Sequence, residues 1–249
     1  MLDVPLLHIE GLSKHFGGVP AVADVSLDIA EGEIHAVIGP NGAGKTTFLN
    51  LLSGELKPSS GQIWFKGKNV TGWPPDALAR AGLGRSYQHS SVMPNFSIFE
   101  NVRLAAQSRS GASFRMLSSA DRLVDVAGSA RAAIGACGIM QPERLAGEAS
   151  HGERRQLETA MLLAAGAEVM LLDEPASGMS RAETLELVAV LKKLRGGRTI
   201  LLVEHDMDAV FALADRITVL VYGKVLATGA PFAVRENREV RAAYLGEKR

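Results

Sequence analysis

Short apolar runs punctuated by Gly and Pro dominate the first third of the chain. Their period-two or β-rich character predicts strands over 7–10, 21–29 and 61–65. Residues 34–39 form an apolar strand that runs straight into a glycine-rich loop, and 45–53 then carries a helical pattern. From about Ser97 to Ala165 the texture becomes Ala-, Arg- and Leu-rich and helical, with breaks near Gly111 and Gln141. This predicts a helical subdomain inserted into the core. Beyond it, strands at 168–173 and 199–204 alternate with amphipathic helices at 181–194 and 206–214. That alternation predicts an α/β fold with a mixed, mostly parallel sheet and helices on both faces. Two short strands, at 216–222 and 224–227, precede a short helical tail.

The chain has 249 residues, enough for one large domain or a core with a smaller subdomain, and 47% are hydrophobic, so a substantial core is available. Acids and bases balance at 27 each. No global basic field points to nucleic acid, so a partner has to be recognised through local surfaces. The single cysteine, Cys137, excludes an internal disulfide and sits in an apolar helix end, where it reads as packing. The N-terminus lacks the basic start of a signal peptide. No run approaches the roughly 20 apolar residues of a spanning helix. The chain is therefore expected to be soluble, and a transport role would require separate membrane subunits.

Residues 39–47, Gly39-Pro40-Asn41-Gly42-Ala43-Gly44-Lys45-Thr46-Thr47, complete a G-x-x-x-x-G-K-[ST] pattern between an apolar strand and a helix. Glycines let backbone N–H groups turn inward around phosphate oxygens. The helix start adds its positive end, Lys45 is placed to reach the β- and γ-phosphates, and Thr46 offers a hydroxyl to Mg²⁺. Downstream, an apolar strand ends in Asp173-Glu174. Alone this is a helix-entry turn. Together with the phosphate loop it predicts Asp173 holding Mg²⁺, directly or through water, and Glu174 orienting or deprotonating the attacking water.

With these motifs in place, nearly the whole chain resembles the ATP-binding subunits of ABC transporters. Ala149-Ser150-His151-Gly152-Glu153 resembles the family signature, with His151 and Glu153 standing where glycine and glutamine are usual. The resemblance implies that Ser150 and Gly152 contact the γ-phosphate held by a partner copy, so that ATP is hydrolysed in a head-to-tail dimer. Locally the same residues read as a helix N-cap, with Glu153 completing a capping box. The resemblance further implies that Gln88 senses Mg²⁺ or the attacking water and faces the membrane subunit. It makes His205 the switch histidine at the γ-phosphate, where a lone His after a strand reads as a hydrogen-bonded edge residue. It makes Phe16 the adenine-stacking aromatic; without it Phe16 reads as core. Ser180 replaces a common aspartate, which leaves cross-dimer contacts there open.

The fold implied is a P-loop NTPase core with an N-terminal antiparallel β subdomain, the core comprising 1–88 and 166–249 and the helical subdomain about 89–165. Phe16-Gly17-Gly18-Val19, Val203-Glu204-His205-Asp206-Met207 and Ala243-Tyr244-Leu245-Gly246 look like the branched-chain amino acid and urea importer branch. That branch implies transmembrane permeases, a second ATPase subunit (self or paralogue), indirectly a solute-binding protein, and a place on the cytoplasmic face of the inner membrane. Val92, Met93, Phe96 and Phe99 form either a groove for a permease helix or the interior of the helical subdomain. Rival readings are a lipopolysaccharide-type exporter, a non-transport ATPase of DNA repair or translation, and a P-loop kinase or GTPase. The last lacks its Asn-Lys-x-Asp base-reading motif here.

Overall fold

The computed structural model describes residues 5–86, 92–109 and 120–244. The first part of the chain comprises β1 (Leu7–Phe16), β2 (Val19–Ile29), β3 (Ile34–Ile38), α1 (Lys45–Leu52), β4 (Ser60–Phe65), β5 (Lys68–Asn69), α2 (Pro75–Ala81) and β6 (Leu83–Arg85). Helices α3 (Ile98–Arg109), α4 (Ala120–Ala136) and α5 (His151–Ala164) follow. The chain then runs through β7 (Val169–Asp173), α6 (Arg181–Leu194), β8 (Thr199–Val203), α7 (Met207–Leu213), β9 (Arg216–Val221), β10 (Lys224–Gly229), α8 (Pro231–Glu236) and α9 (Arg238–Tyr244).

Among the described residues the strands make two sheets, β2-β1-β4-β5 and β10-β9-β3-β8-β7-β6. The first is antiparallel throughout. In the second, β9, β3, β8, β7 and β6 run parallel and β10 closes the edge antiparallel. The reason lies in the sequence. Every residue of β3, β7 and β8 is buried, as a strand covered on both faces requires. Register then fixes the functional edge. Val37 and Asp173 both pair with Val203, so the segments that follow β3, β7 and β8 leave the sheet side by side.

One apolar cluster joins β1, β2 and α1 to one face of the parallel sheet, including Ile9, Phe48 and Leu201. A second packs α6 and α7 on the other face through Leu191, Val210 and Ile200. A third binds α3, α4 and α5 through Ile98, Val102, Ile134, Leu157 and Cys137. Each of these buried Ile, Leu, Val and Phe side chains contributes about 1.5–3 kcal/mol. Cys137 is 0% exposed and burial pushes its thiol up to about 12, which fits packing.

Two sequence expectations are corrected. The first strand continues to Phe16 because bulges between Ile9 and His15 break the alternation that marks a strand. As a result Phe16 closes a hairpin and is 50% exposed, so it is not core. The short elements α2, β5 and β6 also went unread, having seven, two and three residues. The apolar stretch near α3 divides: Met93 and Phe96 are exposed, whereas Val92 and Phe99 pack against the helical cluster and Val102 is fully buried.

Candidate functional site

Residues 39–44 turn between the end of β3 and the start of α1. Glycine is required at both ends of this turn. A Cβ on Gly39 would lie 2.2 Å from the Leu220 carbonyl oxygen, and one on Gly44, at φ 96°, would lie 2.2 Å from that of Ala21. Between them Ala43 N–H donates to the Pro40 carbonyl and Asn41 and Gly42 are exposed. The Lys45 ammonium donates to the Gly39 carbonyl at 2.7 Å and to that of Pro40 at 3.1 Å. Burial lowers its pKa, opposed by the nearby carboxylates of Glu174 and Asp173. Thr46 is exposed at the same helix start and Thr47 half-buried.

Asp173 ends β7 almost fully buried, at 1% exposure. Its Oδ2 accepts from Arg85 Nη2 at 3.1 Å, while Oδ1 is buried without a hydrogen-bond partner. Burial raises the pKa of Asp173 despite that guanidinium. The same arginine donates to Asn50 Oδ1 and Ser53 Oγ, tying α1 to β7. A buried carboxylate oxygen with no protein donor, in the field of the Lys45 ammonium, is a hard-donor position suited to a divalent cation.

Glu174 has φ 47°, a left-handed conformation uncommon for a side-chain-bearing residue. Its N–H donates to the Val203 carbonyl, which pins that turn to β8. His205 follows β8, more than half exposed, with Nδ1 3.8 Å from Glu174 Oε1. Between the two loops lies Glu204, 1% exposed, which accepts from Ala176 N–H at 2.7 Å and His205 N–H at 3.1 Å. Burial raises its pKa while these backbone donors lower it.

Ser150 and Gly152 start α5. Ser150 Oγ accepts from Glu153 N–H, and Glu153 Oε2 accepts in return from Ser150 N–H, so the predicted capping box is present. Phe16 stands at the β1–β2 hairpin, and Ala21 of β2 packs on Gly44 of the phosphate loop. Gln88 lies outside the described residues.

The fold thus brings Lys45, Asp173, Glu174 and His205 to one sheet edge, whereas Ser150 Oγ pairs with Glu153 and Glu183 and Gly152 N–H with Glu183. Three residues escaped sequence reasoning. Arg85 meets Asp173 across 88 positions, a pairing no local pattern carries. Glu204 stood in view as an acid ending an apolar strand. Glu183 stands three residues after Ser180, the same capping-box spacing recognised at Ser150.

A family model described as ABC transporter matches residues 22–177, and one described as branched-chain amino acid ATP-binding cassette transporter matches 224–249. The chain is 39% identical over 254 residues to the high-affinity branched-chain amino acid transport ATP-binding protein LivG of Salmonella typhimurium, covering 99% of this chain and 100% of that one. It is 36% identical over 253 residues to the corresponding protein BraF of Pseudomonas aeruginosa, covering 98% of each. Among solved structures, the ADP conformation of an ATP-binding cassette of an ABC transporter superposes with TM-score 0.85 at 25% identity, covering 97% of this chain and 99% of that one.

Proposed function

The chain belongs to the ABC transporter family, and from that membership we propose how its residues divide the hydrolysis of ATP in a membrane importer. The convergence of Lys45, Asp173, Glu174 and His205 on the phosphate-loop edge carries this reading.

ATP enters with its adenine stacked on exposed Phe16 and its phosphates wrapped by the N–H groups of Gly39, Asn41, Gly42, Ala43 and Gly44, with Thr46 and Thr47 at the helix start. Proline contributes no N–H and shapes the turn. Lys45 exchanges the Gly39 and Pro40 carbonyls for the β- and γ-phosphates. Thr46, Asp173 and Gln88 would hold Mg²⁺, and the unpartnered Asp173 Oδ1 supports that assignment. When bound, the cation would supply charge compensation to the phosphates. Glu174 orients the attacking water and draws its proton, and His205 contacts the γ-phosphate as its bond to the β-phosphate oxygen breaks. Ser150 and Gly152 of a second copy, or of a paralogue, complete the site from across a head-to-tail dimer.

The full-length similarity to branched-chain amino acid transport proteins supports such amino acids as cargo. Transmembrane permeases are then the partners, with a solute-binding protein acting through them and this subunit peripheral on the cytoplasmic face of the membrane. Among the described residues no helix is long and apolar enough to cross a membrane. Exposed Met93 and Phe96 offer the permease an apolar foothold beside a helical subdomain of about 89–165, with the core formed by 1–88 and 166–249. Glu174→Gln should retain ATP binding, lower steady-state phosphate release about 100-fold or more, and stop leucine or valine uptake by the assembled transporter. An unchanged hydrolysis rate would remove Glu174 from its role.

A further inference from the structure

Glu183 lies in the first turn of α6, where it completes the capping box of Ser180. Its Oε1 accepts from Gly152 N–H at 3.1 Å and from Ser150 Oγ at 3.3 Å. Its Oε2 accepts from Ser180 N–H at 2.9 Å and Ser180 Oγ at 2.8 Å. One carboxylate thus bridges the starts of two helices, each a favourable place for negative charge. The approach is close enough to specify the residue opposite: a Cβ on Gly152 would lie 2.8 Å from Glu183 Cγ and 2.9 Å from Oε1.

We propose that Glu183 is the resident anion of the signature segment, occupying in the open subunit the two donors that the partner's γ-phosphate takes on dimer closure, and that it must release them for closure to occur. The proposal rests on the reading above in which Ser150 and Gly152 serve a partner's nucleotide. A carboxylate and a phosphate cannot share one N–H and one hydroxyl; at such separations two anions repel, and each donor makes one good hydrogen bond. The carboxyl is held down at about 2, first by Ser180 N–H, then by the Ser180 hydroxyl and Gly152 N–H, so it is ionised at neutral pH. Ser180 holds Oε2 independently of the signature. The side chain therefore has an anchor on which to swing when Oε1 is displaced, and it remains a helix cap throughout. Glu183 in this view is a positioning residue: it keeps the signature donors satisfied while empty and sets the nucleotide concentration at which two subunits close.

The test follows ATP-driven dimerisation by analytical ultracentrifugation in a Glu174→Gln background, where hydrolysis does not deplete the nucleotide. Glu183→Gln, which keeps size but weakens the acceptor, should halve-dimerise at about three- to tenfold lower ATP. Glu183→Asp, which can still cap Ser180 but falls short of Gly152, should shift in the same direction. A midpoint unmoved or raised in both variants overturns the proposal. So does a lowered melting temperature with an unchanged ATP midpoint, which marks Glu183 as a helix cap alone. If the Glu174→Gln protein with native Glu183 fails to dimerise at any ATP concentration, the head-to-tail reading itself falls, and this inference with it.

Discussion

Arg85 grips Asp173 by a single oxygen, Nη2 to Oδ2 at 3.1 Å, and leaves the other oxygen buried with no protein donor. Burying a carboxylate so incompletely satisfied is costly. On the proposed function, a divalent cation brought with nucleotide would relieve that cost and so favour the loaded state.

Asp173→Asn should therefore raise the Mg²⁺ concentration needed for half-maximal ATP hydrolysis by about tenfold or more. Nucleotide binding measured without the metal should change much less. Mg²⁺ titrations of hydrolysis and of fluorescent nucleotide binding separate the two effects.

His205 and Glu174 face each other at 3.8 Å, and the proposed function sets both on the same γ-phosphate. Removal of either should cost about 10²-fold in kcat, and the double replacement little more, because groups that act as a unit are non-additive. Single-turnover phosphate release from His205→Ala, Glu174→Gln and the combined protein checks this. Multiplicative losses would show independent action.

Glu204 ties the loop after β7 to the loop after β8 through Ala176 and His205 N–H groups. Glu204→Ala orphans partly buried donors and should destabilise the fold by about 1–3 kcal/mol, read as a lower urea midpoint. Glu204→Gln retains an acceptor and should recover most of the stability, while kcat stays reduced because His205 is less firmly placed.

A pH dependence arises from a buried ion pair at the start of β3. On β3, His35 is fully buried between Glu33, at 2.9 Å, and Thr218 Oγ1, at 2.8 Å. Burial raises the pKa of Glu33, but hydrogen bonds from His35 and from Ala30 N–H, with the charges of His35 and Arg216, bring it below the ordinary value. A carboxyl lowered on folding stabilises above its unfolded pKa of about 4.3, and that contribution is lost as pH falls through the folded value. Glu33→Gln should therefore be less stable than the native chain near neutrality, by about 1.5–3 kcal/mol. Urea unfolding from neutral to strongly acidic pH should show the two proteins converging on the acid side. A constant gap across that range would assign the loss to packing.

Much of this site was legible because its chemistry is local in sequence. The phosphate loop needs consecutive residues with particular backbone freedom, and Gly39 and Gly44 occupy the two positions where a Cβ would strike a carbonyl. Asp173, Glu174 and His205 follow apolar strands, so the rule that sites gather at the carboxyl edge of a parallel sheet placed them together. Phe16 was harder: bulges hide the outer half of β1, and exposure follows from where that strand ends. Arg85 and Glu183 could not be read the same way. Their partners, Asp173 and Gly152, are brought close by folding alone, and a guanidinium or carboxylate on a short strand or helix start reads as solvated until its neighbour is known.

Cys137, sealed among α3, α4 and α5, gives the molecule a built-in clock. Its sulfur is inaccessible and firmly protonated in the closed bundle, so alkylation by iodoacetamide can proceed only when those three helices part. With one cysteine in the sequence, the modification rate is a single-channel record of how often the helical layer loosens. Comparing that rate with and without nucleotide would show whether ligation at the sheet edge steadies a region built on a separate core.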